Sequence, residues 1–252
     1  MARTEFLAAV TMAVFAMSPV FAASPPAAPA KPALEPAAWE AVTKMGAYLR
    51  TLKSFDVSAD GTTEEVLGNG QKISLPGKLS YAVSIPDKLF LETVSDRNQR
   101  RFYYDGKTIT VEVPRANLYT DAPLPGTIST LLTTAQAKFG IEFPLQDLFL
   151  FGTPEVVKPT SGFKVGPSTI DGAKTTQYAF RQPGIDWQIW IADGDTPVPV
   201  KMVMTDTSDP ARPQYAGTLN WTVNPVRTAD RFTFTPPKGT GRIAIATAGG
   251  KK

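Results

Sequence analysis

The most constraining feature of the sequence is a run of alternating side chains within residues 77–114. Apolar residues such as Tyr81 and Val83 alternate there with small or polar ones, which makes one face of a pleated strand apolar and the other polar. The pair Asp105-Gly106 lies between two further strand-like runs and supplies the positive φ angles that a tight hairpin requires. This pattern predicts an antiparallel meander with one apolar face.

Similar short runs, separated by turn residues, continue through the second half of the chain and bring the predicted total to about ten or eleven strands. Two stretches with helical spacing of apolar residues interrupt them, one in residues 37–53 and one in residues 126–151. A sheet of this size must curl. The predicted fold class is therefore mainly β (α+β): a strongly curved antiparallel half-barrel with helices covering its concave face.

The first 22 residues have the pattern of a secretory signal peptide. Arg3 precedes a short apolar run, and small side chains lead to a cleavage motif that ends at Ala22. The run is shorter than the roughly 20 apolar residues of a membrane span, so we expect export to the periplasm, cleavage near Ala22 and no membrane-spanning anchor. Residues 23–36 are rich in Pro and Ala and predict a linker, 37–240 a single domain, and 241–252 a flexible tail.

Composition excludes several kinds of chemistry. The 252 residues include no Cys and no His, which removes disulfides, thiol nucleophiles, the commonest general base and the usual transition-metal ligands. No phosphate-binding or dinucleotide-binding motif is present. We therefore expect no metal and no cofactor. The net charge of +3, with its basic residues scattered, also argues against a nucleic-acid partner.

Two interpretations of the residues themselves remain open. A carboxylate-based hydrolase needs only a pair of acids that meet in space, and Glu92, Glu112 and Glu142 lie nearest the predicted sheet and its helical cover. The apolar face of the sheet favours non-enzymatic binding of a hydrophobic molecule instead. The same side chains could also form only a core sealed by the two helical segments, because alternation alone does not reveal a cavity.

Several short segments resemble a known superfamily. Residues 52–55 (Leu-Lys-Ser-Phe), residues 105–108 (Asp-Gly-Lys-Thr) and residues 232–237 (Phe-Thr-Phe-Thr-Pro-Pro) are similar, in order and spacing, to segments of the LolA-like periplasmic proteins. That superfamily includes the lipoprotein carrier LolA, the receptor LolB and the N-terminal domain of RseB. Within it, the sequence is most similar to a family of predicted periplasmic proteins of unknown function.

The resemblance implies an apolar cavity for a lipid or a lipoprotein acyl chain, held between the curved sheet and a helical lid. The cavity candidates are Tyr81, Val83, Ile85, Leu89, Leu91, Val111, Tyr178, Trp187, Ile189 and Met202. The lid candidates are Val42, Met45, Leu49, Leu131, Leu132 and Phe139. In the carrier, an arginine that controls the lid occupies the position of Ile85, so this chain lacks that charged latch. The alternative that the resemblance leaves open is a protein-interaction or envelope-sensor module with an envelope protein as partner.

Overall fold

The computed structural model describes residues 33–151 and 158–247. The expected signal peptide and most of the expected linker lie outside these residues. Two α-helices and twelve strands form the described part of the chain, and no helix in it is long and apolar enough to cross a membrane. The helices are α1 (Pro36–Thr51) and α2 (Ile128–Phe139).

All twelve strands belong to one sheet. In chain order they are β1 (Ser54–Val66), β2 (Lys72–Ser84), β3 (Lys88–Ser95), β4 (Gln99–Tyr104), β5 (Thr108–Val113), β6 (Leu118–Pro123), β7 (Ser161–Ile170), β8 (Ala173–Gln182), β9 (Ile185–Ala192), β10 (Pro199–Asp206), β11 (Gln214–Val223) and β12 (Gly241–Arg242). Their order across the sheet is β12-β6-β5-β4-β3-β2-β1-β11-β10-β9-β8-β7. Neighbouring strands are antiparallel except β12 and β6, which are parallel. The two outermost strands, β12 and β7, do not pair with each other, so the sheet is open. The predicted mainly β half-barrel is confirmed.

The alternation that predicted the strands also sets the inner face of the sheet, which is the face that the helices cover. Val57 of β1 lies opposite Tyr81 of β2, and Tyr81 lies opposite Leu91 of β3. All three side chains are buried. Because side chains alternate between the two faces of a strand, the residues between them point to the outer face.

A layer of helices and one short turn covers the inner face. α1 packs against the β7 side of the sheet, where its Trp39 contacts Phe180 edge-on at 6.5 Å between ring centroids. The N-terminus of α2 is held at the opposite side, because the Ile128 amide donates to the carbonyl of Pro86 (2.9 Å). Between the helices, Phe149 of the 3-10 turn Gln146–Phe149 packs on Phe55 and Tyr81.

The outer face is covered differently, by the extended C-terminal segment. Phe232 is buried against Ala82 and Phe90, where these three side chains form a small core separate from the main one. Arg227 donates to the Asp56 carboxylate at 2.7 Å and to the carbonyl of Val83 at 3.1 Å. These contacts fix the segment across the first strands of the sheet.

Four boundaries differ from the expectations. The strands number twelve because the expected tail contributes β12, whose Gly241 pairs with Leu118. The second part of the helical insert is only a 3-10 turn, Gln146–Phe149, and the left-handed conformation of Leu145 (φ 56°) interrupts any α-helix before it. The expected linker is partly folded, because Leu34 forms a parallel bridge with Gly162. The first helix ends at Thr51, two residues before the expected end.

One buried hydrogen bond ties the helical insert to the sheet. The Tyr81 hydroxyl donates to the Pro144 carbonyl at 2.7 Å. Burial raises the pKa of Tyr81, so the phenol remains a protonated donor at physiological pH. We predict that Tyr81→Phe lowers the free energy of unfolding by about 1 kcal/mol, because the carbonyl loses its partner. Urea denaturation measures this change.

Tyr48→Phe is the matched control. Tyr48 packs beside the core, and its hydroxyl forms no hydrogen bond within the described part of the chain. Removal of the Tyr48 hydroxyl should lower the free energy of unfolding by less than half as much as removal of the Tyr81 hydroxyl. Equal losses in the two variants would show that the Tyr81 hydroxyl does not anchor the insert.

Candidate ligand-binding site

Among the described residues, the helical layer covers only one half of the inner face. In β1 the alternating burial runs from Phe55 to Ala59 and then stops, and in β2 it begins only at Leu79. The rest of each of these 13-residue strands extends beyond the helices. The sheet therefore overhangs its own cover, and part of the inner face is open.

A row of glycines crosses this overhang. Gly217 of β11, Gly61 of β1 and Gly77 of β2 lie directly opposite one another on adjacent strands, and Ser95 of β3 continues the row. Glycine is unfavourable in strand interiors and marks a close approach or a bend of the backbone. Three paired glycines leave a band of the inner face without side chains.

An apolar slot of about 190 Å³ lies over this band. Its floor consists of Ala59, Gly61, Gly77 and Leu79, and Pro144 of the helical insert closes one end. The other residues that line it are Thr63, Lys78, Thr93, Val94, Ser95, Asn98 and Tyr215. Small side chains on the floor and one bulky wall make a narrow trough that suits a linear apolar group.

Tyr215 forms the wall on the β11 side. Its ring lies over two of the glycines: a Cβ atom on Gly217 would stand 2.4 Å from the Tyr215 hydroxyl, and one on Gly61 would stand 3.1 Å from it. Burial raises the pKa of Tyr215, and its hydroxyl forms no hydrogen bond to any residue that the structure describes. An aromatic side chain laid over strand glycines replaces the packing that they lack. It also sets the width of the slot.

The cavity and lid candidates lie beside this slot, in the covered half. Nine of the ten cavity candidates and all six lid candidates belong to one apolar core or pack against it; Ile85 does not. The side chain of Ile85 is 42% exposed, because β2 has ended at Ser84 and the chain turns at Pro86. No cavity candidate lines the slot. Whether any of them contacts a ligand stays a prediction.

The residues that line the slot were not identified from the sequence. A signal was present, because Gly61, Gly77 and Gly217 each interrupt a strand pattern away from any turn. Their alignment across three strands could not be deduced, since β11 is separated from β1 by most of the chain.

A larger depression of about 600 Å³ lies under the same glycines, but charged residues such as Lys78, Lys201 and Asp60 line it.

The acids considered for hydrolysis have a different arrangement. Arg101 lies between Glu92 and Glu112 on the outer face, at 2.7 Å and 3.5 Å, and Glu112 also accepts from Tyr103. Burial opposes ionisation of Glu92, but hydrogen bonds from Arg101 and Gln99 outweigh it and lower its pKa. A general acid requires a raised pKa. The geometry therefore favours an ion-paired structural row. Glu142 is exposed and accepts from the Gln136 amide.

A curved, open sheet with an inner apolar face partly covered by helices defines the fold class of the chain. The chain belongs to the DUF2092 family of predicted periplasmic proteins, whose model matches residues 38–246. The resemblance seen in the sequence is thereby confirmed at the level of this family. No curated protein matches the chain.

Distantly similar solved structures cover most of the chain. An uncharacterized conserved protein from Thermus thermophilus is 10% identical over 80% of this chain and 97% of its own, with a TM-score of 0.46. Lipoprotein LppX from Mycobacterium tuberculosis is 16% identical over 77% and 98%, with a TM-score of 0.41. A LolA superfamily protein from Nitrosomonas europaea is 8% identical over 77% and 97%, with a TM-score of 0.36.

Two glycines of the slot should respond differently to a methyl group. A Cβ on Gly77 would meet only the Val94 carbonyl at 3.3 Å and the Ser95 Cβ at 4.0 Å, whereas one on Gly61 would lie 2.8 Å from the carbonyl oxygen of Ala216. We predict that Gly77→Ala changes the free energy of unfolding by less than about 1 kcal/mol, because the smaller loss of backbone entropy offsets the tight contact with the Val94 carbonyl. Gly61→Ala should lower it, since two backbones must separate.

Urea denaturation of both variants measures the difference. The same stability for the two variants would contradict the close strand geometry at Gly61.

The Glu92 ion pair should make stability depend on pH. Because the folded pKa of Glu92 lies below the ordinary value of 4.5, its contribution is complete above that value and is lost as the pH falls through the lower folded pKa. We predict that Glu92→Gln flattens the fall in stability below pH 4.5. Glu40→Gln, on the exposed face of α1, serves as the control and should leave this slope unchanged. Denaturation at a series of acidic pH values compares them.

Proposed function

We propose that this protein is a non-enzymatic periplasmic binding or carrier protein for a molecule with an acyl chain, such as a lipid or the anchor of a lipoprotein. The observation that carries the proposal is the glycine-floored apolar slot at the edge of the helical cover. The family description supports the compartment. The slot places an accessible apolar surface next to the buried core, with no enclosing ring of charge.

The size of the slot indicates how a ligand is held. Its volume of about 190 Å³ is below the roughly 300–1,000 Å³ of sites that enclose drug-sized ligands. It therefore accommodates the end of a hydrocarbon chain and not a whole lipid. A longer chain reaches the cavity candidates around Tyr81 only if the segment that begins at Pro144 moves away from the sheet.

The attachment of that segment suits such a movement. The 3-10 turn Gln146–Phe149 follows Pro144, which lines the slot, and its Phe149 packs on Phe55 and Tyr81. Its polar anchors include the Tyr81 hydroxyl, which donates to the Pro144 carbonyl, and the Arg50 guanidinium, which donates to the Phe151 carbonyl. An acyl chain that takes the place of the Phe149 ring replaces one apolar contact by another, so the inner face of the sheet stays buried.

The free energy of binding should follow the length of the chain. Each buried methylene contributes about 0.8 kcal/mol, which is about fourfold in affinity. An acyl chain confined to the slot gains little beyond the cost of association, whereas one that also enters the core gains about 11 kcal/mol gross over fourteen methylenes. Long-chain ligands are thus expected to bind well and short ones weakly.

We predict that a fluorescent long-chain fatty acid binds the purified protein and that Gly77→Val weakens this binding by at least about tenfold, or 1.4 kcal/mol. The added side chain narrows the slot beside Ser95. Gly68→Val is the matched control, because an added Cβ at this turn position meets nothing within 4 Å. Fluorescence titration compares the three proteins.

Fatty acids of increasing length, competed against the same probe, complete the test. Rising affinity with length supports entry into the core. Absence of probe binding, or equal binding by Gly77→Val and the wild type, would reject the slot as the site.

A second candidate function is docking of an envelope protein, and one observation favours it. Phe163 and Val165 of the edge strand β7 are 49% and 48% exposed, and a pocket of about 260 Å³ lies between Phe163, Phe180 and Trp187. Beyond the bridge between Leu34 and Gly162, the outer edge of β7 pairs with no further strand of the described residues. Such an edge with exposed apolar residues can accept an extended segment of another protein.

In-cell photocrosslinking distinguishes this candidate. A photoreactive residue at Phe163 should trap one defined partner, while the same group at the fully exposed Val226 should not. Identical products from both positions would reject specific docking at β7.

A further inference from the structure

A second cavity lies on the outer face of the sheet, beneath the C-terminal segment. It has a volume of about 470 Å³, within the range of small-molecule sites. Strands β4, β5 and β6 form its floor, and residues between Phe232 and Arg242 form its rim. It is separate from the slot, because the slot opens on the inner face and alternate residues of a strand face opposite sides of the sheet.

The walls of this outer pocket are fixed by three kinds of contact. The Phe234 ring lies between Tyr103 and Tyr119, with centroids 5.3 Å and 5.1 Å apart. Arg242 donates two hydrogen bonds to Asp121, at 2.6 Å and 2.9 Å. β12, which carries Arg242, pairs with β6. The pocket is therefore formed before any ligand arrives.

Its lining combines aromatic rings with hydroxyl and carboxylate groups. Thr108 and Thr110 lie on the floor, Asp105 and Asp121 at the sides, and the rings of Tyr119 and Phe234 beside them. The remaining residues that line it are Tyr103, Phe232, Thr233, Pro236 and Arg242.

Thr110 is the most informative of these residues. It is only 8% exposed, and its hydroxyl has no hydrogen-bond partner among the residues that the structure describes. Because Thr110 lines the pocket and its hydroxyl is not sealed from it, water or a ligand in the pocket supplies the missing partner. The group both donates and accepts, so it matches a ligand hydroxyl.

The charges narrow the class of ligand further. Two carboxylates, Asp105 and Asp121, face the pocket against one guanidinium, Arg242, which is already paired with Asp121. A phosphate or another anion would meet excess negative charge. An acyl chain would leave the Thr110 hydroxyl without a partner and would place hydrocarbon against the Asp105 carboxylate, whose Oδ1 accepts from the Lys107 and Thr108 amides. A neutral ligand that presents many hydroxyls and one apolar face fits both conditions.

We propose that this outer pocket binds a neutral saccharide. The hydroxyls of a sugar ring pair with Thr110 and with the carboxylate side of the pocket. The C–H face of the ring carries a weak positive potential and packs on the negative faces of Tyr119 and Phe234. The pocket and the slot lie on opposite faces of the sheet, so a saccharide and an acyl chain can be bound at the same time.

Saturation-transfer NMR with the full-length mature protein tests the proposal. The probes are cellobiose, maltose and N,N′-diacetylchitobiose, each at about 10 mM, a concentration that detects millimolar affinities. Binding of at least one of them is expected, with the strongest transfer to ring C–H protons. Thr110→Val, which keeps the shape of the side chain, should weaken that binding about 2- to 10-fold through loss of one hydrogen bond.

Thr222→Val, at an exposed threonine of β11 that lines neither the slot nor the outer pocket, is the matched control and should bind like the wild type. Thermal melts of both variants verify that each is folded. Tyr119→Ala should reduce the transfer to the C–H protons more than Thr110→Val does. The proposal is overturned if none of the three sugars binds the wild type, or if Thr110→Val and Tyr119→Ala bind as it does.

Discussion

The structure depends on burial of the inner face of the sheet. Removal of this apolar surface from water is the main favourable term available to a chain with no disulfide. The helices that cover it contain 16 and 12 residues, lengths at which isolated helices are marginal in water. The sheet and the helices are therefore stable only together. The cross-strand row of Val57, Tyr81 and Leu91 lies where they meet.

The overhang and its glycines have a cost that the fold itself does not explain. Each strand glycine is less favourable than alanine by roughly 0.5–1 kcal/mol, and Gly61, Gly77 and Gly217 are paired with one another. The Tyr215 ring restores part of the missing packing over two of them. Local choices that oppose stability are expected at functional sites, and here they coincide with the open end of the apolar face.

The outer face is stabilised by a different set of interactions. Aromatic packing around Phe234, the Arg227 contacts with Asp56 and the row of Glu92, Arg101 and Glu112 hold it without a second helical layer. A sheet only one layer thick can thus present two chemically distinct surfaces. The apolar inner face and the polar outer pocket are kept apart by the alternation of side chains along each strand.

The sequence by itself determined the strands, the apolar face and the two helical segments, because side-chain periodicity and turn residues act over a few neighbouring positions. It identified the row around Tyr81 as apolar and Asp105-Gly106 as a turn. Only the tertiary structure decided that the second part of the helical insert is a 3-10 turn, that three distant glycines align, and that the tail adds a strand beside β6. These features arise from pairings between residues far apart in the chain, for which local patterns carry no information.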